Sequence, residues 1–397
     1  MPSSPPSTFA AERLPPLFWW LWAGWLLSAL ASFVLPFLAF FLTARGMPPS
    51  QVGLVVSAFG AGGLVGGPCA GALADRVGRK PTILLTLLTA AATAAAIAFL
   101  ASPVALGAAV LLFGLASQAV NAPFHAIVAD VVPEGARPRA FALAYWARNV
   151  GVGLSLVAGG ALAARGWALP FLLDAATTLL FALLVLVFVP ETLPPSSPTP
   201  APVGYGPVLG DRRFAALLGL HVLFATALWQ LHAGLPMDLA GRGLAPEVFG
   251  AVLSVNTVLV ALLSPFSARF TGRFSPPAAL AGGAALVAVG FGAYAVCVRA
   301  SHFALASAVL TLGEIVYLPV AGSMAADLAP PALRGRYAGA LGLALGAGSL
   351  AAPLLASAIL PAAGSAALWL LCFAACSAVA VGYAALARGG SVVRVGP

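Results

Sequence analysis

Four ionisable side chains lie deep inside long apolar runs of this chain: Arg148, Asp174, His221 and Glu314. Glu314 stands in AVLTLGEIVYLPVAG and Arg148 in ALAYWARNVGVG. A charge in an apolar medium is costly unless it is neutralised, paired or used. Such groups suit proton carriage or the holding of a charged ligand. Burial without a partner would keep an acid such as Glu314 neutral for much of the time, which makes it the first candidate for a proton carrier. His221 and Asp174 come next. Polar side chains accompany these four. Gln118, Asn121 and His125 recur at i, i+3 and i+7, one stripe on a helix. Asn149 adjoins Arg148, and Tyr317 follows Glu314 by one turn. Gln230, His232 and Asn256 complete the set.

These residues need elements to hold them, and the composition says which. The chain is 61% hydrophobic and 8% charged, with a mean hydropathy of +1.02. Soluble domains carry roughly a quarter charged residues, so lipid is the solvent this chain suits. A bilayer core of ~30 Å needs ~20 apolar residues as helix. That ruler predicts twelve helical segments: 17–43, 51–74, 81–101, 104–130, 139–164, 168–189, 214–236, 247–269, 277–298, 303–328, 336–360 and 365–387. The runs are too long and too evenly apolar for barrel strands. The fold class expected is therefore an all-α membrane protein.

Charge placement orients the segments. Fourteen of the nineteen basic residues fall in loops on the side of the N-terminus, four fall on the other side, and Arg148 lies within a segment. Basic loops face the cytoplasm, so both termini are expected inside. A net charge of +8 without a basic cluster excludes a nucleic-acid partner. Cys69, Cys297, Cys372 and Cys376 have no zinc-ligand spacing and read as small buried residues, so no metal or cofactor is expected. The glycine run GAGGLVGG follows no strand and is not a nucleotide loop. The Pro/Ser-rich start, 1–16, reads as a disordered cytoplasmic arm. The Pro/Ser-rich stretch 191–213 reads as a cytoplasmic linker between bundles 17–190 and 214–387, with a tail at 388–397. The halves repeat: ADVVPEGARPRAFA at 129–142 aligns without a gap with ADLAPPALRGRYAG at 326–339. A repeat in the same orientation predicts two six-helix bundles related by a pseudo-two-fold axis along the membrane normal. Gly63, Gly67 and Gly71, four apart, are expected to let segment 2 pack closely against a neighbour.

The stretch GALADRVGRK, 71–80, contains the only lysine of the chain and puts Asp75, Arg76, Arg79 and Lys80 between two apolar segments. Gly71, Leu73, Asp75, Arg76, Gly78, Arg79 and Lys80 reproduce the G-x-L-a-D-r-x-G-R-k signature of the major facilitator superfamily. The chain resembles that family, and its bacterial multidrug and solute efflux-like members, over essentially its whole length. Pro190, Glu191 and Thr192 are also similar to family members. Two family patterns are absent: Ser155 and Leu156 replace a Gly-Pro pair in segment 5, and Leu115 replaces an arginine in segment 4.

The resemblance implies a secondary transporter working by alternating access, not an enzyme, in a bacterial cytoplasmic membrane. It implies a central cavity lined by segments 1, 4, 7 and 10 with 2, 5, 8 and 11 beside them, where Arg148, Asn149, Gln118, Asn121, Gln230, Asn256 and Tyr317 would meet a small-molecule substrate. It also implies that Asp75 faces the N-terminus of segment 11, with Arg137, Arg139, Arg334 and Arg336 nearby. This would be a latch made only while the cytoplasmic side is closed. The corresponding loop SARFTGRFSP keeps Gly272 and Arg273 but has Arg269 in place of the acid, so the second latch is degenerate. The task expected is efflux of an amphipathic or drug-like compound by proton antiport, by a monomer in the lipid bilayer. Uptake or exchange of a small polar solute (a sugar, amino acid or organic anion) is the alternative, and a membrane sensor is the alternative of another class.

Overall fold

The computed structural model describes residues 14–193, 206–330 and 333–388. Most of the expected N-terminal arm, linker and tail lie outside the described residues. Every regular element among the described residues is helical. Eleven helical stretches are long and apolar enough to cross a bilayer. They are α1 (Pro16–Ala44), α2 (Pro49–Arg76), α3 (Arg79–Phe99), α4 (Pro103–Val131), α5 (Glu134–Ala163), α6 (Ala168–Phe188), α7 (Arg212–Gly241), α8 (Pro246–Leu263), α9 (Pro276–Tyr294), α10 (Ala300–Ala325) and α11 (Arg336–Ala387). Wide apolar faces, such as Leu183, Leu186 and Val187 on α6, remain exposed on the outside. Such faces suit a lipid surround, where every backbone polar group must be satisfied within the helix itself.

The first ten stretches match the segments predicted from length and hydropathy apart from internal breaks: α4 is interrupted at Val120, α8 gives way to the 3-10 turn Ser264–Phe266, and larger breaks reshape α1 and α7. α1 breaks into Pro16–Leu30 and Val34–Ala44. α7 breaks at the 3-10 turn Trp229–Leu231, and its outer part resumes at Gly234–Gly241. The cause is the same in both. Pro36 and Pro236 each lack the N–H that would bond the carbonyl four residues back, and the pyrrolidine ring crowds that carbonyl. α11 is the exception in length. At 1.5 Å per residue its 52 residues would span about 78 Å. Gly364 interrupts it with φ 79° and ψ 175°, a left-handed backbone that glycine adopts without strain.

The breaks leave backbone donors that need acceptors. In α1 the carboxylate of Asp174, on α6, takes both: Phe33 N–H and Val34 N–H donate to Oδ2 at 3.0 and 3.1 Å. Asp174 thus caps the outer part of α1 from a neighbouring helix. In the second half of the chain Asp238, just beyond the α7 break, is buried. It accepts two bonds from Arg242 (2.8 and 3.1 Å) and one from the Trp369 indole (2.9 Å). Arg242 donates onward to the Cys297 carbonyl and to Ser365 Oγ. One buried acid therefore ties each broken helix to the last helical segment of its own half.

α1 to α6 pack among themselves, as do α7 to α11, and the two sets meet along α2 against α11 and α5 against α8. At the end away from the basic loops these pairs touch closely. A Cβ at Gly60 would collide with the Leu350 backbone, and one at Gly160 would lie 2.7 Å from Glu247 Cα. Phe37 and Phe40 pack on Phe249 across the same seam. The glycine spacing expected in α2 holds, but the packing face is one residue off. Gly62 and Gly66 press on α4, where a Cβ would strike the carbonyls of Leu111 and Leu115. Gly67 and Gly71 have nothing within 4 Å. Of the cysteines, Cys297, Cys372 and Cys376 are buried as expected, whereas Cys69 is exposed.

Candidate functional site

Where the two sets of helices diverge, towards the basic loops, they enclose a cavity of about 1080 Å³. Its first wall comes from α2, α4 and α5, and its second from α7, α8, α10 and α11. Gln118, Asn121 and His125 line it from one face of α4, so the predicted stripe exists. Asn121 Nδ2 donates to the Gln118 carbonyl at 3.0 Å, which holds the two amides together. Arg148 is the middle residue of α5 and opens into the cavity. It makes no ion pair or hydrogen bond to a described residue, and the ring of Trp25 lies 5.5 Å from its guanidinium carbon.

Glu314 faces Arg148's wall from α10. Asn256 Nδ2 on α8 donates to its Oε2 at 2.7 Å and to Thr311 Oγ1 at 2.9 Å. An amide donor fits the carboxyl either protonated or ionised, so it positions the group without fixing its charge. Trp229 and His232 reach the cavity because the Pro236 break turns that part of α7 inward. Arg148 and Glu314 are not paired with each other; the described ion pairs lie elsewhere.

Several expected residues stand outside the lining. Asn149 points away from it and donates to the Tyr145 carbonyl at 2.8 Å, one turn back on the same helix. Tyr317 is buried against Phe224, ring centroids 3.6 Å apart, because one turn from Glu314 faces the helix packing and not the cavity. His221 stacks on Tyr317 at 5.8 Å and is buried, with no partner for Nδ1 among the described residues. Gln230 is buried and donates to the Ala352 carbonyl at 3.0 Å. Asp174 is occupied by the α1 break. His125 lines the cavity with the rest of its stripe, and His232 lines it from α7. The signal for both was their place on faces carrying other polar residues.

At the basic end the signature stretch forms a network within the first half. Gly78 adopts φ 117°, and a Cβ there would collide with Glu191 Oε2. That left-handed turn aims the first N–H groups of α3 at Glu191: Arg79 N donates to Oε1 at 3.0 Å and Lys80 N to Oε2 at 3.1 Å. Slight burial raises the Glu191 carboxyl, but the N–H groups of Leu193, Arg79, Lys80 and Thr192 outweigh it and hold it below its ordinary range. Arg79 pairs with Asp130 at 2.5 Å and more loosely with Asp75 at 3.5 Å. Thr192 Oγ1 donates to the same Asp130 oxygen at 2.9 Å. Lys80 reaches the Leu186 carbonyl.

Asp75 is 43% exposed and has no described contact with the other half. Arg137 turns to the Val132 carbonyl and Glu134, Arg139 is exposed, and Arg336 makes no described ion pair. The side chain of Arg334 lies outside the described residues. The contact expected between Asp75 and the start of segment 11 is not made among the described residues. In the second repeat copy Asp327 is exposed, whereas its counterpart Asp130 is bonded.

Comparison with known proteins follows this geometry. The family model of the Major Facilitator Superfamily matches residues 20–241, more than half of the chain. The chain is 28% identical over 280 residues to the multidrug resistance protein MdtH of Aeromonas hydrophila, covering 70% of each. It is 27% identical over 324 residues to a Na(+), Li(+), K(+)/H(+) antiporter of Planococcus maritimus, covering 72% of this chain and 75% of that one. Its fold superposes with a TM-score of 0.80 on the crystal structure of a peptide transporter POT in complex with sulfate, 18% identical, over 94% of this chain and 95% of that one. With its apolar helices, its signature stretch and relatives that are transporters, the chain belongs to the Major Facilitator Superfamily and is a multi-pass membrane transporter, not an enzyme.

Proposed function

We propose that this protein is a secondary transporter of alternating access, with Glu314 as its proton carrier and a small amphipathic compound as its exported substrate. The observation that carries the reading is the cavity between the two sets of helices, with Glu314 on one wall, Arg148 on the other and apolar surface between them. In this reading Gly364 divides α11 into two spans, which gives twelve in two six-helix bundles joined by the linker at 191–213. The basic end is cytoplasmic, as the positive-inside bias argues, and the membrane is a bacterial cytoplasmic membrane. The conformation described is then open to the cytoplasm. Asp75 docks on the N-terminus of the Arg334–Arg388 helix only when that side closes. The transporter acts as a monomer.

Antiport requires the substrate and the proton to compete. A cationic amphipathic compound beside Glu314 would favour loss of its proton, and return of the proton would release the compound. The names of the MdtH relative and of the cation/proton antiporter support export in exchange for protons. Proteoliposomes test it. An imposed pH gradient should drive movement of the compound by the parent, and Glu314→Gln should retain exchange but lose the response. A parent indifferent to the gradient contradicts proton coupling.

A second reading, carriage of a small organic anion, is favoured by one observation. Arg148 is a cavity cation with no ion pair to a described residue.

A further inference from the structure

The other well-held arginines of this fold have hydrogen-bond acceptors: Arg45 donates to the backbone carbonyls of Ala98 and Leu100, and two others meet acids. Arg242 is bonded to Asp238 through two nitrogens, and Arg79 is paired with Asp130. Arg148 is treated differently. It lies at mid-length of α5 and faces the cavity. Its described neighbour is the Trp25 ring, 5.5 Å away. A ring there stabilises the cation while leaving the N–H edges of the guanidinium free. Arginine stays charged at any accessible pH, so the site cannot relieve itself by losing a proton. Its donors form a planar fork that matches a carboxylate or sulfonate.

We propose that the free edge of Arg148 binds the anionic head of an amphipathic monoanion, whose apolar body rests on Leu64, Leu228 and Trp229. This deepens the second reading above and rests on it. Gln118 has a side-chain amide that donates to nothing described, and it shares the same wall, so a further donor is at hand.

The same cavity fixes the sign of coupling. With Glu314 ionised and the histidines neutral, Arg148 and Glu314 cancel in formal charge; with Glu314 protonated the lining carries one positive charge. Arg148 and Glu314 line one cavity, so an anion held on Arg148 brings negative charge into the space Glu314 shares; like charges disfavour the carboxylate, and anion binding promotes proton binding. By linkage, the proton promotes anion binding equally. Anion and proton are therefore taken together and move the same way, whereas export by antiport needs them to compete. The ionisable groups facing Glu314 are Arg148 and Tyr145 on α5, His125 on α4 and His232 on α7. His221, also on α7, is packed behind Tyr317. Protonated histidines would add to the same sign, so a Glu314 variant is needed to separate them.

The test uses the full chain, purified in detergent and titrated calorimetrically with 2-naphthoate and with 2-naphthylmethylammonium. Buffers of two ionisation enthalpies report the protons exchanged. The parent should bind naphthoate saturably, take up protons as it does so, and bind more tightly at pH 6 than at pH 7.5. The ammonium compound should bind more weakly. Arg148→Gln should weaken naphthoate about 10- to 100-fold, the range of a lost charge-assisted pair, with Arg148→Lys intermediate. Glu314→Gln should reduce the proton uptake. No naphthoate binding, proton release on binding, preference for the ammonium compound, or an unchanged affinity in Arg148→Gln would each overturn the proposal. If Arg148→Gln fails to fold, the parent's charge preference and proton uptake still decide. A chain that fails here yet moves a neutral or cationic compound down an opposing pH gradient loses this inference and keeps the export reading.

Discussion

Asp174 offers a sharp division between a structural acid and a proton carrier. Its Oδ2 accepts Phe33 N–H at 3.0 Å and Val34 N–H at 3.1 Å, where α1 restarts after its break. The residue is 5% exposed, so water cannot replace it. Asp174→Ala leaves two buried donors unsatisfied at about 1–3 kcal/mol each, or about 2–6 kcal/mol in all. Asp174→Asn keeps a carbonyl oxygen at nearly the same place and loses only the charge-assisted share, about 1–2 kcal/mol. The apparent melting temperature in detergent, read by tryptophan fluorescence at one fixed scan rate, should rank parent, then Asn, then Ala. Transport by Asp174→Asn should still respond to a pH gradient. An Ala variant that melts with the parent refutes the capping role. An Asn variant that melts normally but ignores the gradient makes Asp174 the carrier.

Three further outcomes are expected. Glu191 lies at the membrane edge with its carboxyl held low by N–H donors, so its stabilising share is present above the ordinary value of 4.5 and is lost as pH falls through the lower folded value. The melting temperature of Glu191→Gln should therefore lie below the parent at pH 6 and converge with it only as pH falls well below the ordinary value; a constant gap contradicts this. Asp75→Asn should shift the population several-fold towards the form described here, since a carboxylate at a helix N-terminus contributes ~0.3–1 kcal/mol, up to ~2 kcal/mol when partly buried. Unchanged label-to-label distances across the basic end would leave Asp75 a bystander. In a background without Cys69, a cysteine at Glu134 should react with an impermeant reagent from the cytoplasm and one at Gly243 from outside, and reversed accessibility would invert the topology.

Much of this was legible in residue order. Hydropathy and the ~20-residue ruler placed ten helices, because in lipid a backbone has few alternatives to helix. The α4 stripe, Arg148, Asn256 and Glu314 were readable as cavity residues once the family's helix arrangement was supposed. Asn149, Gln230 and Tyr317 were not, since depth in an apolar run does not say which face a side chain takes. The breaks in α1 and α7 were written in Pro36 and Pro236, but hydropathy is blind to them. Asp238 lies just past the predicted end of segment 7 at 236, and hydropathy carries no sign that an acid there is buried. The α2 packing face fell on Gly62 and Gly66 because a glycine-rich helix offers several stripes, and only the neighbour's position selects among them.

The central claim is that one cavity is opened alternately at its two ends under control of Glu314. Spin labels at Glu134 and Arg273 report the basic end, and labels at Arg165 and Val298 the opposite end, in the full chain reconstituted in lipid. At rest the basic-end pair should be far apart and the opposite pair close. A change from pH 7.5 to pH 5.5 should move the two distance distributions in opposite directions, and Glu314→Gln should abolish that response. Two ends that stay fixed, that open together, or that still answer to pH in Glu314→Gln as in the parent would contradict the account.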